Sequence, residues 1–163
     1  MKAMLLSAGR GERMGSLTAH TPKPLTRIIN TTLIEHNLTR IRKAGISDVI
    51  VNISWLGEKI RQHLGSGRKW GINITYMDEG DEMLGTGGGI LNALRVLGSE
   101  PFWVINSDIY SNYEINVETH LGDNYLGHLI LVPNPEHHPG GDFILQNNQV
   151  SAPSGKKPLT FSG

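Results

Sequence analysis

Two cations and one carboxylate stand out as residues that could work on phosphate. Arg13 lies in a glycine-rich stretch, Ser7-Ala8-Gly9-Arg10-Gly11-Glu12-Arg13-Met14-Gly15, that follows directly on the apolar run Ala3 to Leu6. Lys23 is locked between Pro22 and Pro24. Asp108 closes Asn106-Ser107-Asp108, immediately after the apolar run Phe102 to Ile105. A strand that ends in bare backbone amides, with fixed cations nearby, is a way to hold a polyphosphate. Rigid backbone on both sides of Lys23 restricts where its ammonium points. A carboxylate beside phosphates is a hard oxygen donor of the kind Mg²⁺ takes, one or two at a time, together with phosphate oxygens.

Plainer readings stand beside these. Gly9 and Gly11 suit a tight strand exit, Lys23 a solvated loop, and Asp108 a turn. The first loop is not a P-loop, because no Lys-Ser/Thr follows its glycines. It is not a clean dinucleotide fingerprint either. Met14 stands where the third glycine belongs, and Pro22 and Pro24 soon break the chain. No acid for a ribose closes the second strand, which also speaks against a dinucleotide-dependent oxidoreductase. A second cluster, Gly85-Thr86-Gly87-Gly88-Gly89 behind Glu82, allows close helix–strand packing. It equally allows a flat base to lie against backbone amides and a carboxylate. His137 and His138 are adjacent, so their side chains diverge and do not form a metal pair.

The elements that must position these residues alternate. Ala3–Ser7 reads as a buried strand. Thr32-Leu33-Ile34-Glu35 is a capping-box pattern that opens a helix ending at Gly45. A strand over Val49–Ile53, a helix over Leu56–Leu64, a strand over Asn73–Met77, a helix over Ile90–Leu97 and a strand over Phe102–Ile105 follow. That order implies a mainly parallel sheet with helices on both faces, with ligands bound beyond the carboxyl ends of the strands. Beyond it, Gly127–Val132 reads as a strand, and Asp142–Gln146 with Gln149-Val150 as a hairpin turning at Asn147-Asn148.

Composition narrows the class. The 163 residues carry 15 Lys+Arg and 15 Asp+Glu, a formal net charge of zero, and no cysteine. Disulfides, thiol nucleophiles and cysteine metal sites are excluded. A neutral chain lacks the broad basic surface of a nonspecific nucleic-acid binder, so any anion site is local. With no signal peptide or membrane-length apolar stretch, the chain reads as soluble and cytoplasmic, with no membrane partner. No internal repeat is visible.

Ala8-Gly9-x-Gly11-x-Arg13-Met14 with Pro22-Lys23-Pro24-Leu25 resembles the signature of the sugar-1-phosphate nucleotidyltransferases. Leu84-Gly85-Thr86-Gly87-Gly88-Gly89 is similar to that family's base-binding segment, and Asn106-Ser107-Asp108 to its metal segment. The resemblance spans most of the chain in order and spacing. It implies an α/β fold, a Rossmann-like three-layer sandwich with a mixed, mainly parallel sheet of the nucleotide-diphospho-sugar transferase type. Residues 1–163 would form a single domain, truncated at its C-terminus. It also implies roles. Arg13 would hold the β- and γ-phosphates, and Lys23 would bridge the α-phosphate and the sugar phosphate. Asp108 would bind Mg²⁺, with a second aspartate from a later segment beyond Gly163. Ala8, Gly9, Gly11 and Glu12 would line the triphosphate loop. Glu82, Gly85, Thr86 and Asn106 would contact base and ribose, and Gly141 and Asp142 the sugar. Within the family, Ser54-Trp55-Leu56-Gly57, Asn134-Pro135-x-His137-His138 and Gly141-Asp142-Phe143 most resemble the members that join UTP to N-acetylmuramate 1-phosphate in cell-wall recycling. The alternatives are a guanylyl- or thymidylyltransferase for another sugar 1-phosphate, or an inactive nucleotide-binding module, in either case as monomer or homodimer.

Overall fold

A strand buried on both faces needs apolar residues at every position, and Ala3-Met4-Leu5 supplies them at 0% exposure. They form the centre of β1 (Lys2–Leu6). The computed structural model describes residues 1–81, 83–119, 121–122, 124–153 and 158–162, except for the side chains of Glu12, Arg13 and Leu17. After β1 come a short antiparallel pair, β2 (Arg27–Ile28) and β3 (Thr31–Thr32), then α1 (Leu33–Lys43), β4 (Asp48–Ile53) and α2 (Gly57–Leu64). β5 (Asn73–Asp78), α3 (Gly85–Leu97) and β6 (Phe102–Asn106) complete a unit covering Met1–Glu118. The central sheet has the order β5-β4-β1-β6, and every pairing in it is parallel.

The period-2 alternation of the strands separates two cores. Ala3, Leu5, Val49, Val51 and Ile105 face Ile34, Leu38 and Ile41 of α1 and Ile60 and Leu64 of α2. Met4, Ile50 and Met77 face Ala93 and Leu97 of α3. The result is the expected three-layer sandwich. Its central sheet is parallel throughout, and the antiparallel pairs lie in separate two-stranded sheets. No helix among the described residues is long and apolar enough to cross a membrane.

The start of α3 differs from the sequence reading. α3 starts at Gly85 instead of Ile90, so the glycine run is helical. Glycine is a poor helix former, and packing overrides that preference here. A Cβ on Gly89 would stand 2.7 Å from Glu79 Oε1 and 2.9 Å from Asn52 Nδ2, inside both atoms' contact radii. Only glycine lets α3 lie this close to those two polar groups.

α1 begins as its sequence dictates. Glu35 N–H donates to Thr32 Oγ1 (3.3 Å), and Thr32 N–H donates to Glu35 Oε2 (2.9 Å). Burial works to raise the Glu35 carboxyl. The Thr32 N–H, the Lys69 ammonium, the Thr32 hydroxyl and the His63 ring outweigh it and bring it from 4.5 to about 2.

Residues 119–163 form a second unit. In it β7 (Leu131–Val132) pairs antiparallel with β10 (Thr160–Phe161), and β8 (Ile144–Gln146) forms a hairpin with β9 (Gln149–Ser151). The strand expected over 127–132 is only its last two residues. The hairpin turns where expected, with Asn147 and Asn148 at φ 52° and 58°, the left-handed pair a two-residue turn requires.

Gly89→Ala should lower unfolding free energy by about 1–3 kcal/mol in urea titrations. Gly87→Ala, where an added Cβ meets nothing within 4 Å, should raise it by about 0.5–1 kcal/mol. A tolerated Gly89→Ala would show that the Asn52–Glu79 contact does not constrain the helix. For Glu35 the folded pKa is depressed, so its contribution is complete above pH 4.5 and is lost as pH falls toward about 2. That contribution is on the order of 3 kcal/mol. Glu35→Gln should flatten the stability–pH curve across that window, and an unchanged slope would contradict the assignment.

Candidate active site

The chain leaves β1 toward β4 and β5 on one side, then returns in β6 to the other side of β1. Strand order therefore reverses at β1, and a crevice opens beyond the carboxyl ends of β1 and β6. A cavity of about 360 Å³ occupies that place. Ala8, Gly9 and Gly11 line it from the end of β1, Asn106 and Asp108 from the end of β6, and Gly85 and Thr86 from the start of α3. Lys23 and Pro24 complete the wall.

Local geometry aims each group. Gly11 sits at φ 66°, which turns the loop back on itself. Its carbonyl accepts from Met14 N–H (2.9 Å) and Thr18 Oγ1 (3.0 Å). The prolines around Lys23 set a single 3₁₀ turn, Lys23–Leu25, closed by Leu25 N–H to Pro22 O (2.8 Å) and Thr26 N–H to Lys23 O (2.9 Å). From it the ammonium reaches 2.7 Å from Asp108 Oδ2, with the two side chains 30% and 32% exposed. At that exposure the pair adds at most about 1 kcal/mol to stability. What the geometry establishes is a cation and a carboxylate sharing one wall of the cavity.

Sequence reasoning missed the polar groups beneath the crevice. Asn52, only 3% exposed, stands in the otherwise apolar run Val49 to Ile53 of β4. Its Oδ1 accepts from Ser7 N–H (2.8 Å), and its Nδ2 donates to Glu79 Oε1 (2.7 Å). Glu79 Oε2 accepts from Leu84 N–H (3.0 Å) just before α3. One amide thus links the exit of β1 to the start of α3. The signal was a single polar residue inside Val49-Ile50-Val51-Asn52-Ile53, which the strand reading passed over. Ser107, at 0% exposure, donates from Oγ to Leu6 O (2.6 Å) and ties the ends of β1 and β6 together.

Eight of the expected residues therefore line one cavity: Ala8, Gly9, Gly11, Lys23, Gly85, Thr86, Asn106 and Asp108. Glu82 lies outside the described residues. Glu12 and Arg13 lie in the 3₁₀ segment Glu12–Leu17 directly after Gly11, with side chains outside the description. Gly141 and Asp142 belong to the second unit. There both carboxylate oxygens of Asp142 have partners, Phe161 N–H (2.9 Å) and His138 Nε2 (3.0 Å). The Phe161 N–H, with His138, holds that carboxyl below its ordinary range.

Among the described residues, no three His, Asp, Glu or Cys side chains converge as metal ligands. Asp108 alone, partly exposed and facing a cavity walled by amides and Lys23, fits a Mg²⁺ ion that takes one carboxylate and draws its other ligands from a bound polyphosphate and water.

A parallel sheet with amides, a lysine and a carboxylate at its switch point has the layout of a phosphate-binding α/β domain. The chain belongs to the nucleotidyl transferase family, whose pattern matches residues 2–139. It is 43% identical over 169 residues to the N-acetylmuramate alpha-1-phosphate uridylyltransferase of Neisseria meningitidis serogroup B, covering all of this chain and 73% of that protein. It is 34% identical over 116 residues to mannose-1-phosphate guanyltransferase 2 of Candida glabrata, covering 69% of this chain and 32% of that protein. The fold superposes, at a TM-score of 0.81 and 21% identity, on a Bacillus anthracis protein assigned as a glucose-1-phosphate thymidylyltransferase and crystallised with sucrose, covering 99% of this chain and 68% of that one. These relatives are sugar-1-phosphate nucleotidyltransferases, and this chain spans only part of their length.

Asn52→Leu should leave the Ser7 N–H buried without an acceptor, at a cost of about 1–3 kcal/mol. A lower urea midpoint together with faster hydrogen exchange at the Ser7 amide is the expected result. Unchanged exchange there would remove Asn52 as the link.

Proposed function

We propose that this chain is a sugar-1-phosphate uridylyltransferase domain that uses UTP, Mg²⁺ and N-acetylmuramate 1-phosphate, serving cell-wall recycling in the cytoplasm. The observation that carries the reading is the Lys23–Asp108 pair at the switch-point cavity. The 43% identity across the whole chain supports the choice of base and sugar.

In the reaction, a phosphate oxygen of the sugar 1-phosphate attacks the α-phosphorus of UTP in line. The bond from that phosphorus to the bridging oxygen breaks, and pyrophosphate leaves with the electron pair. The protein's work is positioning and charge stabilisation. The amides from Ala8 to Gly11 cradle the triphosphate. Arg13 stabilises the departing pyrophosphate. Lys23 exchanges its carboxylate partner for the α-phosphate and the incoming sugar phosphate, offsetting their repulsion. Gly85, Thr86 and Asn106 contact base and ribose, and Gly141 and Asp142 the sugar. Asp108 holds the Mg²⁺, which when bound neutralises phosphate charge.

The test is a pyrophosphate-release screen of four nucleoside triphosphates against several sugar 1-phosphates, using the whole gene product. UTP with N-acetylmuramate 1-phosphate is the expected pair. Preference for GTP with mannose 1-phosphate would move the protein toward its guanyltransferase relatives, and no release with any pair would leave a nucleotide-binding module. Asp108→Ala should abolish Mg²⁺-dependent turnover without lowering Tm. Lys23→Ala should lose about 10²–10³ in kcat, the usual effect of deleting one charge-stabilising donor. A Lys23→Ala enzyme with wild-type kcat would take Lys23 out of the mechanism.

A further inference from the structure

The segment after β6 has no neighbouring strand in the central sheet, yet its carbonyls need partners. Side chains of α1 supply them at every second residue. Asn37, at 0% exposure, has its Nδ2 within reach of Ile109 O (3.0 Å), Ser107 O (3.4 Å) and Leu33 O (3.1 Å), two N–H groups shared among three acceptors. His36 Nε2 lies 2.7 Å from Ser111 O, and Arg40 Nη2 donates to Tyr113 O (2.7 Å). The bonded carbonyls are thus 107, 109, 111 and 113, alternate residues of a segment laid along α1. Asp108 lies between the first two. Arg40 Nη1 donates to Asn37 Oδ1 (2.7 Å), which fixes the amide with its nitrogen toward those carbonyls.

We propose that Asn37 is a positioning residue for Asp108: it pins the backbone on both sides of the aspartate, and Arg40 orients it, so that the carboxylate is presented to the cavity in one geometry. The inference rests on the reading of Asp108 as the Mg²⁺ ligand. Neither Asn37 nor Arg40 lines the cavity, so both act through the backbone of residues 107–109.

The test measures Mn²⁺ affinity by electron paramagnetic resonance, in the presence of UTP, for the whole gene product and for Asn37→Leu, Arg40→Met and Asp108→Ala. The Mg²⁺ concentration for half-maximal turnover is measured alongside. Asn37→Leu should weaken Mn²⁺ binding roughly 10- to 100-fold, as loss of the groups that orient a metal ligand does. It should raise the Mg²⁺ requirement in parallel and leave the KM for the sugar 1-phosphate unchanged. Arg40→Met should shift both metal readouts in the same direction by a smaller factor, and it carries the test if Asn37→Leu does not fold. A purely structural role would lower Tm and leave metal affinity per folded molecule at the wild-type value; that result in the folded variants, with Asp108→Ala still losing Mn²⁺, would overturn the positioning role alone. Wild-type Mn²⁺ affinity in Asp108→Ala would overturn the metal assignment, and the positioning inference with it.

Discussion

The last rung of β1 is the constraint on which the site depends. Leu6 is in register with Asn52 on one side and Asn106 on the other. Parallel pairing fixes these three residues at one level, and everything polar in the crevice follows from that level. Ser7 N–H meets the Asn52 amide, and Ser107 Oγ meets Leu6 O. A slip of one residue in β1 would turn Met4 toward α1 and Leu5 toward α3, exchanging the two cores. The buried faces therefore enforce the register, and the register places the loops. Site and core are one packing problem: the same residues that separate the helices also set the height at which Gly9 and Asp108 emerge.

Asn52 carries that order across to α3. A buried amide with both ends bonded is stable only if its partners stay put. Glu79 supplies one partner and is itself held by the Leu84 N–H. Gly89 keeps the space open. The fold accepts the poor helix propensity of the glycine run because a side chain at Gly89 would break the link between two walls of the cavity. Stability in α3 is traded for the position of its N-terminal turn, where Gly85 and Thr86 line the cavity.

Much of this was legible from pattern. Apolar runs separated by capping and glycine signals gave the strands and helices, and Thr32 and Glu35 cap α1 as their spacing demands. The prolines around Lys23 predicted a fixed cation, and that cation meets the aspartate at the end of β6. What stayed hidden depends on long-range contact. The start of α3 was misplaced because Gly85 to Gly89 read as loop by propensity, whereas the reason for Gly89 lies in Asn52 and Glu79, residues earlier in the chain. Asn37 falls at the helical spacing of Leu33, Ile34, Leu38 and Ile41 on the buried face of α1. Its partners, Ser107 and Ile109, are 70 and 72 residues away. Periodicity records which face is buried; it does not record what a buried amide finds there.

Exposure of the Lys23–Asp108 pair suits the chemistry proposed for it. Separating a fully buried ion pair leaves an uncompensated charge at a cost of about 3–5 kcal/mol. With its side chains 30% and 32% exposed, this pair holds together by at most about 1 kcal/mol. An entering phosphate can therefore replace the carboxylate on Lys23, and a cation can replace the ammonium on Asp108, with little net loss. The chain's net charge of zero fits the same logic. No broad field draws anions in, so selectivity falls to a short cluster of amides and local cations, with a carboxylate that keeps Lys23 aimed until a ligand takes its place.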